Sequence, residues 1–164
     1  MNEELQTLIE SLREELRQYG QMLVLLDEQQ GRIIQRHNDE LLDATAAVNN
    51  QGAAIQTARR QREDAQRELG RLLQVGGDAP LTHMAPLLPA DYRPLLNALM
   101  QENNHLLQRI QQRARQNYLL LRRSLELLDQ FINSFCPAKA PVYNGAGSLQ
   151  VGPETGFSLY EAVG

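Results

Sequence analysis

Three stretches of this chain repeat apolar residues at steps of three and four, and the third is longer than either of the others. That inequality constrains the fold more than any motif, because an amphipathic helix buries its face only where a neighbour runs beside it. On the third stretch Leu96, Leu99, Leu106, Ile110, Leu121, Leu128, Phe131 and Phe135 share one helix face before Cys136-Pro137 ends the pattern. A helix over residues 92–135 extends about 66 Å, against about 50 Å for each of the first two. If all three pack side by side, the last turns, from Leu125 to Phe135, have no partner along their apolar side.

The first helix, about residues 3–37, carries Leu5, Leu8, Leu12, Leu16, Tyr19, Leu23, Leu26 and Ile33. This stripe is narrow, nearer a coiled-coil seam than a broad core face. Its pattern runs on through Leu41, so capping chemistry sets the break. Asn38 reads as an N-cap with Asp39 and Glu40 in the first turn, where acids suit the helix dipole. Gly31 is a rival breakpoint, and one continuous helix past residue 60 is the alternative.

The second helix, about 39–74, is weaker. Its stripe is Leu41, Leu42, Thr45, Val48, Ile55, Ala58, Ala65, Leu69 and Leu72, and small residues bury little area. Gly76-Gly77 reads as its C-cap. Residues 76–91 read as a loop with Pro80, Pro86 and Pro89, holding one short turn near 84–88. Asp91 can cap the third helix, and Pro94 fits its first turn.

The expected fold is all-α: residues 1–136 form an elongated, antiparallel, coiled-coil-like three-helix bundle. Residues 137–164 form a flexible, partly disordered C-terminal tail. That tail holds glycines and prolines, yet Val142, Tyr143, Leu149, Val151, Phe157, Leu159, Tyr160 and Val163 make it adhesive.

Catalytic chemistry finds no foothold. His37, His83 and His105 lie far apart, and none has a ligand at metal spacing. Cys136 stands alone beside Pro137, and Gly76-Gly77 leads to an acid and a proline rather than to a phosphate-binding lysine and helix. The expectation is a non-enzyme without cofactor or metal. The N-terminus is acidic, without the basic start and apolar run of a signal peptide, and no apolar stretch reaches the length of a membrane span. A cytoplasmic location and no direct membrane insertion are expected.

Charge is distributed unevenly within a net of −4. The first 30 residues hold seven acids against Arg13 and Arg17, whereas residues 105–123 hold five arginines and no acid. Complementary helix faces explain this better than nucleic acid does. The arginines from Arg109 to Arg123 lack interleaved aromatics, and Glu126 and Asp129 balance Arg122-Arg123. Asn103 and Asn117 interrupt the apolar stripe two heptads apart, the placement of polar register-setters in a helical seam; a binding role for Asn103 and Asn104 is the lesser option.

From Leu119 through Leu120, Leu121, Leu125, Leu127, Leu128, Phe131, Ile132 and Phe135 the third helix is apolar over more than one face, wider than a two-helix seam requires. Either this is a core plug beneath the tail, or it receives an amphipathic segment of another protein.

Four elements resemble one family. The first helix has Leu25-Leu26-Asp27-Glu28-Gln29. The second opens on Asp39-Glu40-Leu41-Leu42 and carries Arg59, Arg60 and Arg62. The third contains Gln101-Glu102-Asn103-Asn104 followed by Leu106-Leu107, and Tyr143-Asn144-Gly145-Ala146-Gly147 follows it. In order and spacing they resemble the FlgN-type flagellar export chaperones over about residues 3–147. The Pro-rich 76–94 segment and the extension after Gly147 depart from that pattern.

The resemblance implies a cytosolic chaperone that binds hook–filament junction (hook-associated) proteins by their terminal amphipathic helices. It prevents their premature assembly and delivers them to the membrane protein of the flagellar type III export gate. It implies a client surface at Leu121, Leu125, Leu128, Phe131, Ile132 and Phe135, and export-gate docking by Tyr143. The alternative is a structural coiled-coil protein that oligomerises without a client; a homo-oligomer is compatible with both.

Overall fold

Every element that the structure defines is helical. The computed structural model describes residues 2–135, the last by its backbone alone, and the tail expected over 137–164 lies outside them. Three long helices, α1 (Asn2–Gln35), α2 (Asn38–Leu72) and α4 (Arg93–Phe135), are joined by a tight turn and by a longer connector. The connector contains α3 (Leu81–Met84) and two 3-10 turns, Ala85–Leu87 and Ala90–Tyr92. The chain divides into two units, Met1–Arg122 and Arg123–Gly164.

Polar contacts fix the direction of each helix in the first unit. Gln51 of α2 donates to the main-chain oxygen of Gln18, and Gln29 of α1 donates to Thr45, so α2 runs antiparallel to α1. Asn103 of α4 donates to the carbonyl of Leu12 and Asn117 to that of Leu26. Both members of the second pair lie fourteen residues beyond the first, so α4 runs parallel to α1 in a two-heptad register. The bundle is up-down-up, and its two polar interruptions act as the register-setters their spacing suggests.

The break between α1 and α2 falls at Arg36 and His37, so the helix is not continuous past residue 60. Its chemistry differs from the expected Asn38 cap. Asn38 is the first helical residue, the capping residue is His37, and no side chain caps the turn. The C-terminus of α1 closes instead, with His37 N–H donating to Arg32 O and Arg36 N–H to Ile33 O while Arg36 sits at φ 58°. These are the paired bonds of a Schellman turn, built here on arginine rather than glycine. The same arrangement ends α2, where Gln74 sits at φ 58° with Val75 N–H on Gly70 O and Gln74 N–H on Arg71 O. The left-handed residue is therefore Gln74, and Gly76-Gly77 is not the C-cap.

The connector is a folded plug rather than a loop. Met84, Ala85 and Leu88 are buried with Leu5, Leu8, Ile9 and Leu12 of α1, Leu69 of α2, and Leu96 and Leu99 of α4. Gln66 holds it down by donating to Ala79 O at 2.8 Å. Gly70 permits this closure, because a β-carbon there would collide with the carbonyl oxygen of Gly76. A second apolar cluster, farther along, joins Tyr19, Met22, Leu26 and Ile55 with the half-buried Val48, Leu106, Leu107 and Ile110.

Candidate functional site

Helix α4 changes character along its length. As far as Asn117 it serves the core, with Leu96, Leu99, Asn103 and Asn117 all buried. The acid-rich α1 and the arginine-rich α4 meet through Arg113, whose guanidinium reaches Asp27 at 2.8 Å and Gln30 at 2.6 Å.

The second unit is described over Arg123–Phe135. Leu, Arg, Glu and Gln favour helix there on intrinsic propensity. At about 100° per residue, Leu125, Leu128 and Ile132 fall on one strip, with Leu127 and Phe131 on the strip beside it. Glu126, Asp129, Gln130 and Asn133 occupy the opposite side. All five apolar residues are exposed, with Leu125 at 62%, Leu128 at 52% and Phe131 at 60%. Of the other residues expected at a client surface, Leu121 is half-buried on the preceding turn. The Phe135 side chain and Tyr143 lie outside the described residues.

Contiguous apolar exposure on one helix is costly in water and is retained where something binds. It has the form of one half of a helix–helix contact, with anchors at i, i+3 and i+7.

A second feature is a buried polar layer that no motif in the sequence marks. Glu15, 4% exposed, sits in the α1 stripe between Leu12 and Tyr19. Its Oε2 accepts from Arg62 Nε at 2.9 Å, its Oε1 accepts from the Tyr19 hydroxyl at 2.8 Å, and Arg59 Nε lies 3.7 Å away. Arg59 also donates to the Tyr19 oxygen at 3.0 Å. Burial pushes the Tyr19 phenol above its ordinary value, and the hydrogen bond to Tyr19 raises the Arg59 guanidinium.

This polar layer, with Asn103 and Asn104, lines a cleft of about 340 Å³ between the two apolar clusters. Its charges are already matched within the protein, so it resembles a structural layer more than a reaction centre. The sequence carries one sign of it: an acid at a stripe position, three residues after Leu12 and four before Tyr19.

Among the described residues no group of three or more His, Cys, Asp or Glu side chains could hold a metal ion. None of the described helices is long and apolar enough to cross a membrane. Neither a curated protein nor a solved structure matches the chain. A family model described as FlgN protein matches residues 1–150, nearly its whole length. With a fold of long packed helices and an apolar helix end in place, that match makes the chain a member of the FlgN family of flagellar chaperones.

Proposed function

We propose that this protein is a cytosolic export chaperone and adaptor that carries out no catalysis. Its clients are hook–filament junction proteins, held by their terminal amphipathic helices so that they do not assemble early. The client site is the apolar side of α4 at Leu121, Leu125, Leu128, Phe131, Ile132 and Phe135. The observation that carries this reading is the exposure of Leu125, Leu128 and Ile132 on one helical strip.

A single helix laid against this strip buries less than a stable standard-size interface, which starts at about 1,200 Å² in total. Such a contact releases its client, as delivery requires. Delivery itself runs through the membrane protein of the export gate, with Tyr143 as the docking residue. This division of labour predicts that Tyr143→Ala leaves client affinity unchanged while export of the client falls. The test is a pull-down of purified client beside a secretion assay in cells carrying the variant. Equal loss of client affinity and of export would reject the assignment of Tyr143.

A further inference from the structure

We propose that the cleft at the Glu15 layer binds a primary carboxamide, the side chain of a glutamine or asparagine presented by a protein partner. All of its lining residues lie in the first unit, on α1, α2, α4 and the connector. At about 340 Å³ it stands at the small end of ligand sites, with room for a side chain rather than a nucleotide.

Hydrogen bonding inside the layer leaves particular groups over. Arg62 spends its guanidinium on Glu15, Gln66 and Glu63. Arg59, with 36% of its side chain exposed, donates from Nη2 to Tyr19 and approaches Glu15 only at 3.7 Å. Its Nη1 therefore has N–H groups to offer. On the α4 wall, Asn103 gives its amide N–H to Leu12, and its buried oxygen has no hydrogen-bond partner. A buried acceptor left in this state marks a place for a donor. Glu63 accepts only the long 3.4 Å contact from Arg62.

Charge decides what fits. Arg59 and Arg62 balance Glu15 and Glu63, so an arriving carboxylate meets two acids and an arriving ammonium meets two guanidiniums. Either would lose its water without gaining a free counter-ion. A primary carboxamide carries no charge, accepts at its oxygen and donates at its nitrogen. Its oxygen takes Arg59, and its two N–H groups take Asn103 Oδ1 and Glu63. Half-buried Leu81, Met100 and Leu107 give its methylenes an apolar wall. Glu63 and Asn104 are exposed lining residues, so the cleft is open, whereas a free small molecule is usually enclosed over about 70–90% of its surface. An open cleft suits a group that stays attached to a larger body. None of this uses the client site on the second unit.

The experiment titrates the isotope-labelled full chain with glutamine capped as N-acetyl and N-methylamide, read by amide chemical shifts. Capped glutamate and capped norleucine carry the same caps, so they isolate the side-chain group. The expected result is low-millimolar saturation by capped glutamine, with shifts at Arg59, Asn103 and Asn104, and at least fivefold weaker binding of both controls. Arg59→Met keeps the stem and removes the donors, and it weakens capped glutamine about tenfold, the scale of a hydrogen bond to a charged group. Glu63→Gln, at an exposed position, leaves the cleft net positive, so capped glutamate there binds at least as tightly as capped glutamine. Urea unfolding checks that each variant is folded. No saturable shift in wild type, equal affinity for the three probes, or the wild-type ranking kept in both variants would overturn the proposal. Free glutamine binding as tightly as the capped residue would overturn the assignment to a protein side chain. A chain that takes capped glutamine but no hook–filament junction protein keeps this site and removes the chaperone reading; the converse removes this site alone.

Discussion

Asn117 donates its side-chain amide to the main-chain carbonyl of Leu26 at 2.8 Å, and it also donates to Gln29 at 3.0 Å. Fourteen residues earlier on both helices, Asn103 repeats the contact with Leu12 at 3.2 Å. In both asparagines the side-chain oxygen is buried without a hydrogen-bond partner. A buried amide satisfied on one side only adds little net stability. Its value is in register, because any slip of α4 along α1 strands both amides among leucines.

Replacing Asn117 with leucine should therefore leave the unfolding free energy within about 1 kcal/mol of wild type, since apolar burial offsets the lost bonds. What should change is uniqueness. Pairs of cysteines placed to report the native α1–α4 alignment should cross-link in more than one register. A loss beyond about 3 kcal/mol, with a single register kept, would show instead that the amide contributes mainly stability.

Glu15 is the stability counterpart. Its carboxylate is buried against two guanidiniums, and removing it leaves Arg62, only 19% exposed, with the longer 3.4 Å contact to the half-exposed Glu63 as its remaining ion pair. Glu15→Ala should cost about 3 kcal/mol in urea unfolding, the scale for breaking a buried pair from one side. A cost below about 1 kcal/mol would mean that water and the existing Glu63 contact suffice for the arginines.

Tyr19 gives that layer a pH signature. Its phenol is held above the ordinary value of 10.0 by burial, so the folded state keeps the proton more tightly than the unfolded state does. The corresponding stability is fully present below the unfolded value and is lost as pH rises through the higher folded one. Wild type should lose stability above pH 10 more steeply than Tyr19→Phe does, measured by chemical unfolding across that range. Parallel curves for the two proteins would contradict the burial of the phenol.

Gly70 lies inside a helix, where alanine normally stabilises by up to about 1 kcal/mol. Here the added methyl meets the Gly76 carbonyl oxygen, so Gly70→Ala should destabilise by about 2 kcal/mol and loosen the connector. Thermal unfolding decides it: an unchanged or higher midpoint would mean that the 76–79 backbone can move aside without loss.

The sequence made the long helices and their seams legible because leucine at steps of three and four has one physical reading. The polar interruptions were legible for the same reason, since Asn103 and Asn117 share a face and a heptad spacing. Less of the turn chemistry could be read. Arg36 and Gln74 adopt a left-handed conformation that glycine usually supplies, and nothing in an arginine or a glutamine announces it.

The prolines of the connector point to a loop, and they mask Met84, Ala85 and Leu88, whose burial depends on α1, α2 and α4 meeting there. The Glu15 layer needed the pairing of α1 with α2 before Arg59 and Arg62 could be seen to converge. On α4, periodicity marked the apolar strip, but only exposure distinguished Leu125, Leu128 and Ile132 from the core residues Leu96 and Leu99 on the same helix.

The most direct test of the chaperone account is co-elution on a sizing column with the purified hook–filament junction proteins of the same cell. Full-length wild type is compared with Phe131→Ala/Phe135→Ala, a double variant at the end of α4. The account predicts a discrete complex for wild type and its loss in the variant, with helical circular dichroism near wild type. Unchanged co-elution of the variant, or loss of binding accompanied by loss of helicity, would contradict the placement of the client site on this face.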